Sequence, residues 1–372
     1  MYCKKIRVED FRNIELAELE FCDGVNILVG ENAQGKTNLL EAVFYASVGR
    51  SFRGANTAEI IRFGRPSSTI DLSFRDMKRD QSISFRIFRD RRRIVEKNRV
   101  KVDKLSDIMG SFRAVLFCPE HLSLIKDGPA ERRNYLDVAI SRLYPMYIHS
   151  LQSYNYSMKQ RNALLKNARE DMKSFSDTVE LWSARMAKDA SVISDLRAEY
   201  VRRASVYVKS CFEEMTGSRE IPEAPELIYC GSARLDEGDY SERKKTEAKY
   251  MELFMSSHSQ EIAVGSTLYG IHKDDIDIKL NGKSARSYAS QGQQRSLALA
   301  LKLAEGEICR EEFGDYPVFL FDDVLSELDM SRRDYLINKM SGKQVILTSC
   351  EEDFLSRVEG VRKITVKDGV YS

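Results

Sequence analysis

The chain has 372 residues, of which 42% are hydrophobic and 31% charged, so it can bury a core and is too apolar for a disordered chain. Its net charge of +1, from 58 basic and 57 acidic side chains, excludes a polycation and restricts any nucleic-acid site to a local basic patch. No apolar run approaches the ~18 residues of a membrane span or forms an N-terminal signal segment. The seven cysteines include no C-x-x-C pair, so we expect a cytoplasmic protein with reduced thiols and no zinc site.

The N-terminal segment, residues 1–130, begins with strand-like alternation. Val25–Val29 then predicts a buried strand, and a glycine-bounded loop separates it from a helix of good helix formers that begins near Asn38. Strand-like alternation returns between about 69 and 102. This order predicts a strand, a loop and a helix, followed by further strands.

The middle segment, residues 131–264, is predicted to be mainly helical, because the stretch from 130 to 216 has no glycine and a single proline. Prolines, glycines and many charges between 219 and 250 predict irregular surface structure. Residues 265–372 alternate strand and helix again. The pattern therefore predicts an α/β protein into which a mainly helical lobe is inserted.

The loop after the first buried strand fits the phosphate-binding pattern G-x-x-x-x-G-K-[ST] at every fixed position. Its residues are Gly30, Glu31, Asn32, Ala33, Gln34, Gly35, Lys36 and Thr37, followed by Asn38. The two glycines let the backbone curl around a phosphate at the positive end of the next helix. Lys36 can reach the β- and γ-phosphates of ATP, and the Thr37 hydroxyl can bind Mg²⁺. The alternative is a glycine-rich turn with a chance lysine.

A second motif lies near the other chain end, where the apolar strand Val318–Phe321 runs into two carboxylates. This Walker B pattern predicts that Asp322 holds Mg²⁺ and that Asp323 orients or deprotonates the attacking water. With Lys36, these two residues are the catalytic candidates. The alternative is a buried strand followed by a polar turn, which would have the same sequence and no catalytic role.

Between the two motifs, a Ser-x-Gly-Gln sequence opens a long helix and offers a second anion site. The residues predicted to contact nucleotide there are Ser290, Gly292 and Gln293. The sequence resembles the signature motif of ABC-type ATPases, and Ser326–Asp329 resembles the D-loop of that family. The resemblance implies an ABC-type P-loop ATPase head that is assembled from both chain ends and has a mixed sheet with flanking helices. In this family each signature motif completes the nucleotide site of a second protomer. An ordinary helix N-cap is the alternative for Ser290.

Further motifs resemble the RecF family of recombination mediators over nearly the whole chain. They are Phe11-Arg12-Asn13, 30–42, 49–53, Pro119-Glu120, Glu131-Arg132-Arg133 with Asp137, Gln160-Arg161-Asn162, 290–305 and 322–329. One departure is Gly270-Ile271-His272-Lys273-Asp274-Asp275, where the family usually has Gly-Pro-His-Arg-Asp-Asp. A second feature, shared with that family, is that Leu347–Ser349 lacks the switch histidine of ABC transporters, which suggests slow hydrolysis.

The resemblance implies ATP and Mg²⁺ as cofactors, an ATP-dependent homodimer, and binding to single-strand gaps and junctions of single-stranded with duplex DNA. It also implies slow, DNA-stimulated ATP hydrolysis in replication and recombinational repair. In the family, RecO and RecR are partners, RecA is loaded in place of single-strand-binding protein, and the SOS response is supported. Two other classes stay open, a structural DNA clamp of the SMC type and an ABC-type ATPase subunit of a DNA-processing nuclease.

A local basic patch is visible without any resemblance. Between Arg75 and Lys104 there are twelve basic and five acidic residues, with aromatic and aliphatic side chains interleaved. On alternating strands these could present one basic face to phosphates. The DNA-binding candidates are Arg89, Arg91, Arg92 and Arg93. The alternative is a solvated hairpin face.

Overall fold

A computed structural model of the protein describes residues 1–217, 223–350 and 360–372, and these residues form three β-sheets with flanking helices. The strands are β1 (Tyr2–Phe11), β2 (Ile14–Glu20), β3 (Val25–Val29), β4 (Ser67–Arg75), β5 (Asp80–Phe88), β6 (Ile94–Lys97), β7 (Val100–Val102), β8 (Ala114–Phe117), β9 (Pro225–Cys230), β10 (Asp275–Leu280), β11 (Lys283–Ser284), β12 (Val318–Phe321), β13 (Val345–Ser349), β14 (Arg362–Lys367) and β15 (Val370–Tyr371).

The helices are α1 (Lys36–Val48), α2 (Thr57–Ile60), α3 (Ser123–Lys126), α4 (Pro129–Leu143), α5 (Pro145–Asn167), α6 (Met172–Thr216), α7 (Arg243–Ser256), α8 (His258–Val264), α9 (Ala285–Tyr288), α10 (Gln291–Phe313) and α11 (Met330–Lys339). Short 3-10 turns lie at Leu105–Asp107, Pro119–Leu122, Glu237–Ser241, Ile271–Lys273 and Leu325–Glu327.

The chain divides into two compact units. The head unit comprises Met1–Leu122, Ser210–Pro222 and Arg295–Ser372, and the lobe unit comprises Ser123–Lys209 and Glu223–Gln294. Helices α6 and α10 each contribute residues to both units, so two of the boundaries between the units fall inside long helices. The three segments drawn from the sequence pattern, with divisions after residues 130 and 264, stay a prediction.

The head unit contains two sheets that the chain builds in different ways. The strand order β2-β1-β4-β5-β6-β7 is antiparallel throughout. The second order, β15-β14-β3-β13-β12-β8, is parallel apart from the terminal hairpin of β14 and β15. In the parallel sheet β3 lies between β13 and β14, which are more than 300 residues later in the chain. Both chain ends thus build one sheet, as the ABC-type head fold requires.

Helix α1 contacts strands of both sheets and is buried along most of its length. Burial of each large apolar side chain on such a helix stabilises the fold by roughly 1.5–3 kcal/mol. The buried Gln344 also joins the two sheets: it accepts from the amide of Cys3 at 2.6 Å and donates to the carbonyls of Cys3 and Cys22 at 2.8 and 2.7 Å. The P-loop therefore lies between a rigid strand and a rigid helix.

The lobe unit is mainly helical, and two buried arginines connect its elements. Arg161 is fully buried and donates to Glu261 at 2.7 Å and to Ser183 at 3.0 Å. Arg197 donates to Asp137 and Asp274 at 2.8 and 2.9 Å. Removing one partner of such a pair leaves a buried charge uncompensated and typically costs about 3–5 kcal/mol. Arg161 and Asp137, which the sequence singled out, thus hold the helices of the lobe together.

One prediction for the lobe was wrong. Irregular structure was expected between 219 and 250, but β9 begins at Pro225 and α7 begins at Arg243. Residues 218–222 lie outside the described residues. The strand was missed because its six residues follow a proline-rich, charged stretch, whereas its partner β10 comes 45 or more residues later.

Candidate nucleotide-binding site

The P-loop connects β3 to α1, and its glycines are required sterically. A Cβ atom on Gly30 would lie 2.2 Å from the carbonyl oxygen of Val366. Gly35 is the N-cap of α1 with φ of 111°, and Ala33 also lies in the left-handed region with φ of 66°. These conformations curl the loop and leave the first N–H groups of α1 without partners inside the helix.

Lys36 lies in the first turn of α1, and its side chain folds back over the loop. Its ammonium donates to the carbonyl of Gly30 and, at 2.8 Å, to that of Glu31. The residue is 7% exposed. Because an ammonium has three donors and no acceptor, this position places a positive charge over the start of the loop. A phosphate chain bound along the P-loop would lie beside that charge.

Thr37 meets the end of the Walker B strand. Its hydroxyl donates to Asp322 at 2.8 Å, and Thr348 at the end of β13 donates to the same carboxylate oxygen at 2.9 Å. Thr348 is buried and also accepts from the backbone amide of Asp323 at 2.9 Å. The carboxyl ends of β12 and β13 therefore bring these side chains to one edge of the parallel sheet.

The two aspartates have different environments. Burial raises the pKa of the Asp322 carboxyl above its usual value, while the hydrogen bonds from Thr37 and Thr348 oppose the shift. Asp323 is exposed and has φ of 51°, a conformation that few non-glycine residues adopt. The backbone turn thus directs one carboxyl inward to Thr37 and leaves the next accessible.

The donors at this edge suit Mg²⁺, which prefers hard oxygen ligands and usually keeps several waters and phosphate oxygens. Thr37 and Asp322 supply a hydroxyl and a carboxylate that already lie together. Within the described ranges no three His, Cys, Asp or Glu side chains converge as an all-protein metal site, and an ion shared with a nucleotide does not need one. The cradle of Gly30 and Gly35, in which no Cβ fits, suits a phosphate chain in the same way.

Both chain ends support the loop through contacts that the sequence analysis did not foresee. Asn13, in the turn after β1, accepts from Asn38 at 2.7 Å. From the C-terminal hairpin, the Tyr371 hydroxyl donates to the carbonyl of Gly35 at 3.0 Å and the amide of Gly369 donates to that of Gln34 at 2.9 Å. Asn13 stands within a motif of the resemblance, whereas nothing in the sequence marks Tyr371.

A buried carboxylate on α1 accepts hydrogen bonds from side chains of two neighbouring segments. Glu41 is fully buried and accepts two hydrogen bonds from Arg12, at 2.8 and 3.0 Å, and one from Ser51. Arg53 donates to Asn38 at 3.1 Å. The motif residues of the N-terminal segment thus form one network of polar contacts. It includes Asn38, the second residue after Lys36.

The signature motif belongs to the lobe unit. Ser290 and Gln293 form reciprocal hydrogen bonds at the start of α10: the Ser290 amide donates to the Gln293 side chain at 2.7 Å and the Gln293 amide to the Ser290 hydroxyl at 3.3 Å. This is a capping box, and Ser290 remains exposed. The Gln293 side chain also donates to Glu223 at 2.6 Å. The cap and an exposed anion site are compatible, because both use the N-terminus of one helix.

The four arginines proposed for DNA differ in their surroundings. Arg93 turns inward and donates to the Tyr45 hydroxyl at 2.9 Å and to the carbonyl of Gly49. Arg89 donates to the carbonyl of Arg65 at 2.8 Å. Arg91 and Arg92 are exposed.

Elsewhere on the antiparallel sheet, on strands that lie outside residues 75–104, the outward side chains are of mixed charge. Basic and acidic side chains face each other there, with Arg7 between Glu9 at 2.8 Å and Asp71 at 3.8 Å, and Lys5 paired with Glu18. Cross-strand pairing of this kind is common on solvated sheets.

A P-loop on a parallel sheet, with Thr37 hydrogen-bonded to a Walker B carboxylate and with the strands on both sides of β3 supplied by the far end of the chain, defines an ABC-type ATPase head. A family model described as the RecF/RecN/SMC N terminal domain matches residues 2–372. "DNA replication and repair protein RecF" of Thermoanaerobacter pseudethanolicus is 35% identical over 95% of this chain and 96% of its own. The protein of the same name from Caldanaerobacter subterraneus is 36% identical over 100% and 99%. This chain therefore belongs to the RecF family.

Solved structures agree with this assignment. A recombination mediator protein RecF of the RecFOR pathway, described as RecF-ATPrS, superposes with a TM-score of 0.92 at 35% identity over 100% of this chain and 97% of its own. RecF-ATP of the same pathway gives 0.90 over 100% and 98%. An Smc head from Pyrococcus furiosus gives 0.58 at 16% identity over 100% and 95%, a likeness of fold alone. Among the described helices, none has the length and apolar character to cross a membrane.

Proposed function

We propose that this protein is an ATP-dependent DNA-binding protein of DNA replication and recombinational repair. The observation that carries the proposal is the 2.8 Å hydrogen bond between Thr37 of the P-loop and Asp322 of Walker B, which lie 285 residues apart. Gly30 to Asn38 bind the phosphates of ATP, Lys36 neutralises their charge, and Thr37 with Asp322 hold Mg²⁺. When bound, the ion supplies charge neutralisation at the phosphates. The RecF-ATP complex of a 35% identical relative supports ATP as the ligand.

Dimerisation is the event that ATP controls in this proposal. Ser290, Gly292 and Gln293 of one protomer contact the γ-phosphate bound by the other, so that two ATP molecules are enclosed by two chains. The exposed hydroxyl of Ser290 at the N-terminus of a 23-residue helix supports this role. DNA is held in the cleft of the closed dimer and is released after hydrolysis.

Hydrolysis is slow and serves as a switch. Asp323 is accessible and is the residue suited to orient or deprotonate the attacking water. At the end of β13, Thr348 occupies the switch region, and its hydroxyl is already engaged by Asp322 and the Asp323 amide. A threonine is not a base at neutral pH, so the site has one fewer group to accept a proton than a site with a histidine there.

The pathway follows from the relatives. The solved RecF structures are described as belonging to the RecFOR pathway, which supports RecO and RecR as partners. In this proposal the protein acts in the cytoplasm at single-strand gaps and junctions, where DNA stimulates hydrolysis. It helps RecA to replace single-strand-binding protein and supports the SOS response.

The two other classes are less well supported. An SMC-type clamp uses long coiled-coil arms, whereas the inserted helices here pack into a lobe around buried Arg161 and Arg197. An ABC-type ATPase subunit of a nuclease would share the nucleotide site, and the two full-length relatives named above are both called RecF.

Sedimentation of the full chain with ATP and Mg²⁺, with and without gapped DNA, tests the proposal. We expect ATP-dependent dimers for the parent and monomers for Lys36→Ala, which loses the cation beside the phosphates. Lys5→Ala, on the solvated face of the antiparallel sheet, is the matched control and should dimerise. A normal dimer of Lys36→Ala, or a parent that neither dimerises nor binds DNA, would contradict the proposed function.

A further inference from the structure

Two loops at one end of the antiparallel sheet form a continuous basic surface. We define the arginine surface as residues 61–66, which precede β4, together with residues 88–92, which end β5 and continue beyond it. The register pairs Ser67 with Phe88, so these segments begin side by side. They contain five arginines and one aspartate.

Arg89 fastens the two loops to each other. Its guanidinium donates to the carbonyl of Arg65 at 2.8 Å and to those of Arg62 and Ile61 at 3.2 and 3.3 Å. The backbone amide of Arg89 also donates to the carbonyl of Pro66 at 3.3 Å. Because one planar guanidinium spans three carbonyls, the position of the first loop relative to the second is fixed.

An aromatic ring protrudes from the first loop. Phe63 is 97% exposed, in a turn closed by a 3.1 Å hydrogen bond from the Arg65 amide to the Arg62 carbonyl. On the second loop, the Arg91 guanidinium lies over the Phe88 ring at 3.9 Å. An exposed phenylalanine on an ordered turn leaves its apolar ring in contact with water. A ligand with a flat apolar face would cover that ring.

The charges around the ring point to an anion with several phosphates. Arg62 and Arg65 are held by Glu15 at 2.7 Å and Asp10 at 3.3 Å, respectively. Arg91 and Arg92, on the second loop, are exposed. Positive groups that flank an aromatic platform are the pattern by which proteins bind unpaired nucleotides, with bases stacked on the rings and phosphates on the cations.

We propose that the arginine surface binds single-stranded DNA, with an unpaired base stacked on Phe63 and the adjacent phosphates bound by Arg91 and Arg92. This rests on the proposed function as a DNA-binding protein and adds to it the site for the unpaired strand. Duplex DNA offers no open base face to Phe63 without unstacking, which costs a few kcal/mol per step. An acidic protein segment would use the arginines but would leave the ring without a flat partner.

The experiment measures binding of the full chain, with ATP and Mg²⁺, to a gapped duplex and to a blunt duplex of the same length. We expect Phe63→Ala to weaken gapped-DNA binding by about 5- to 150-fold, the range for loss of one stacked base, and to leave blunt-duplex binding within twofold. Phe63→Trp should retain binding. A 2-aminopurine in the gap should be quenched by the parent and not by Phe63→Ala.

Met77→Ala is the matched control, because Met77 is 69% exposed in the turn at the other end of the same hairpin and also has basic neighbours. It should bind like the parent. Parental binding by Phe63→Ala, with no difference in quenching, would overturn the stacking proposal and leave DNA binding itself intact. A parent that binds neither DNA would instead refute the proposed function. Equal losses on gapped and blunt DNA would also overturn the assignment to the unpaired strand.

Discussion

Thr348 and Asp323 are joined by a 2.9 Å hydrogen bond from the backbone amide of the aspartate to the threonine hydroxyl, whose own proton is directed to Asp322. One buried side chain therefore sets the positions of two consecutive aspartates. The bond also maintains the turn in which Asp323 has φ of 51°. Thr348 is a positioning residue, since it acts through its neighbours.

Thr348→Val keeps the shape of the side chain and removes the hydroxyl, so the amide of Asp323 loses its acceptor. We expect kcat for ATP hydrolysis to fall by tenfold or more, while KM for ATP changes by less than threefold, because the P-loop is untouched. Thr348→Ser should restore kcat. Steady-state hydrolysis with gapped DNA makes the measurement. Equal changes of kcat and KM in the valine variant would assign Thr348 to binding instead.

The two aspartates should separate binding from turnover. Asp322→Asn removes the carboxylate that Thr37 contacts, and we expect weaker Mg²⁺-dependent ATP binding. Asp323→Asn leaves that contact intact, so ATP should bind normally and dimers should accumulate on DNA without turnover. Nucleotide titration with and without Mg²⁺, followed by sedimentation with DNA, distinguishes the two. The same loss of ATP affinity in both variants would remove the division of roles.

Ser290→Arg tests whether the signature motif acts on the partner's nucleotide. The exposed serine tolerates the larger side chain in a monomer, but a long cation should block a close approach to a γ-phosphate. We expect normal ATP affinity and no ATP-dependent dimer. Ser287→Arg, which adds the same charge on α9, should dimerise.

Mixing Ser290→Arg with Lys36→Ala extends that test. Each heterodimer can assemble at most one composite site, from the intact P-loop of one chain and the intact signature motif of the other. We therefore expect partial dimerisation in the mixture and none in either variant alone. A normal dimer of Ser290→Arg by itself would leave Ser290 as a helix cap.

Arg91 and Arg92 of the β5–β6 loop should behave differently from Arg93 of the same loop. The double variant Arg91→Glu, Arg92→Glu should bind DNA more weakly. The slope of log K against log salt concentration should become shallower by about 0.9 for each lost phosphate contact on duplex DNA and by about 0.7 on single strands. Arg93→Glu removes donors from Tyr45 and Gly49 and should lower the free energy of unfolding by about 1–3 kcal/mol. Salt titrations and chemical denaturation separate the effects. If this double variant keeps the salt dependence of the parent, Arg91 and Arg92 do not contact phosphates and the loop is only a solvated surface.

His272 makes the lobe sensitive to acid. Burial lowers the pKa of this imidazole from 6.5 to about 4, although the hydrogen bond to the Thr267 carbonyl opposes the shift. Lys273 and Arg133 add to the lowering, and Glu261 opposes it. The folded protein therefore binds this proton less readily than the unfolded chain.

Stability from His272 is fully present above pH 6.5 and is lost as pH falls through the window from 6.5 to about 4, by up to about 3 kcal/mol. His272→Gln should flatten the pH dependence of unfolding in that window. His149→Gln, at an exposed position of α5, should not. Identical pH profiles for the parent and His272→Gln would contradict the assignment.

The sequence predicted the elements whose signals are local. The strand Val25–Val29, the helix after it and the Walker B strand Val318–Phe321 are confirmed by the structure, because apolar runs, glycines and fixed motif spacing specify each of them. The long helices between 130 and 216 are confirmed as well, because a stretch with no glycine and a single proline is also a local signal.

Contacts between distant segments could not be predicted. Tyr371 reaches Gly35 across 336 residues, and nothing near either residue indicates the pairing. The inward turn of Arg93 depends on Tyr45 and Gly49, which belong to another element, so a count of charges grouped it with the exposed arginines. The sequence therefore indicated which residues could form the site and missed the contacts that hold them in place.

The central position of β3 has a consequence for synthesis of the protein. Its neighbours β13 and β14 begin at Val345 and Arg362, so they leave the ribosome more than 300 residues after the P-loop does. Until then the apolar strand Val25–Val29 has neither of its partners, and pairing it requires closure of a very long loop of chain. The nascent N-terminal part is thus exposed to wrong pairing until β13 and β14 have been made. ATP binding becomes possible only after these two strands have paired with β3, which makes nucleotide binding a report that the parallel sheet has folded.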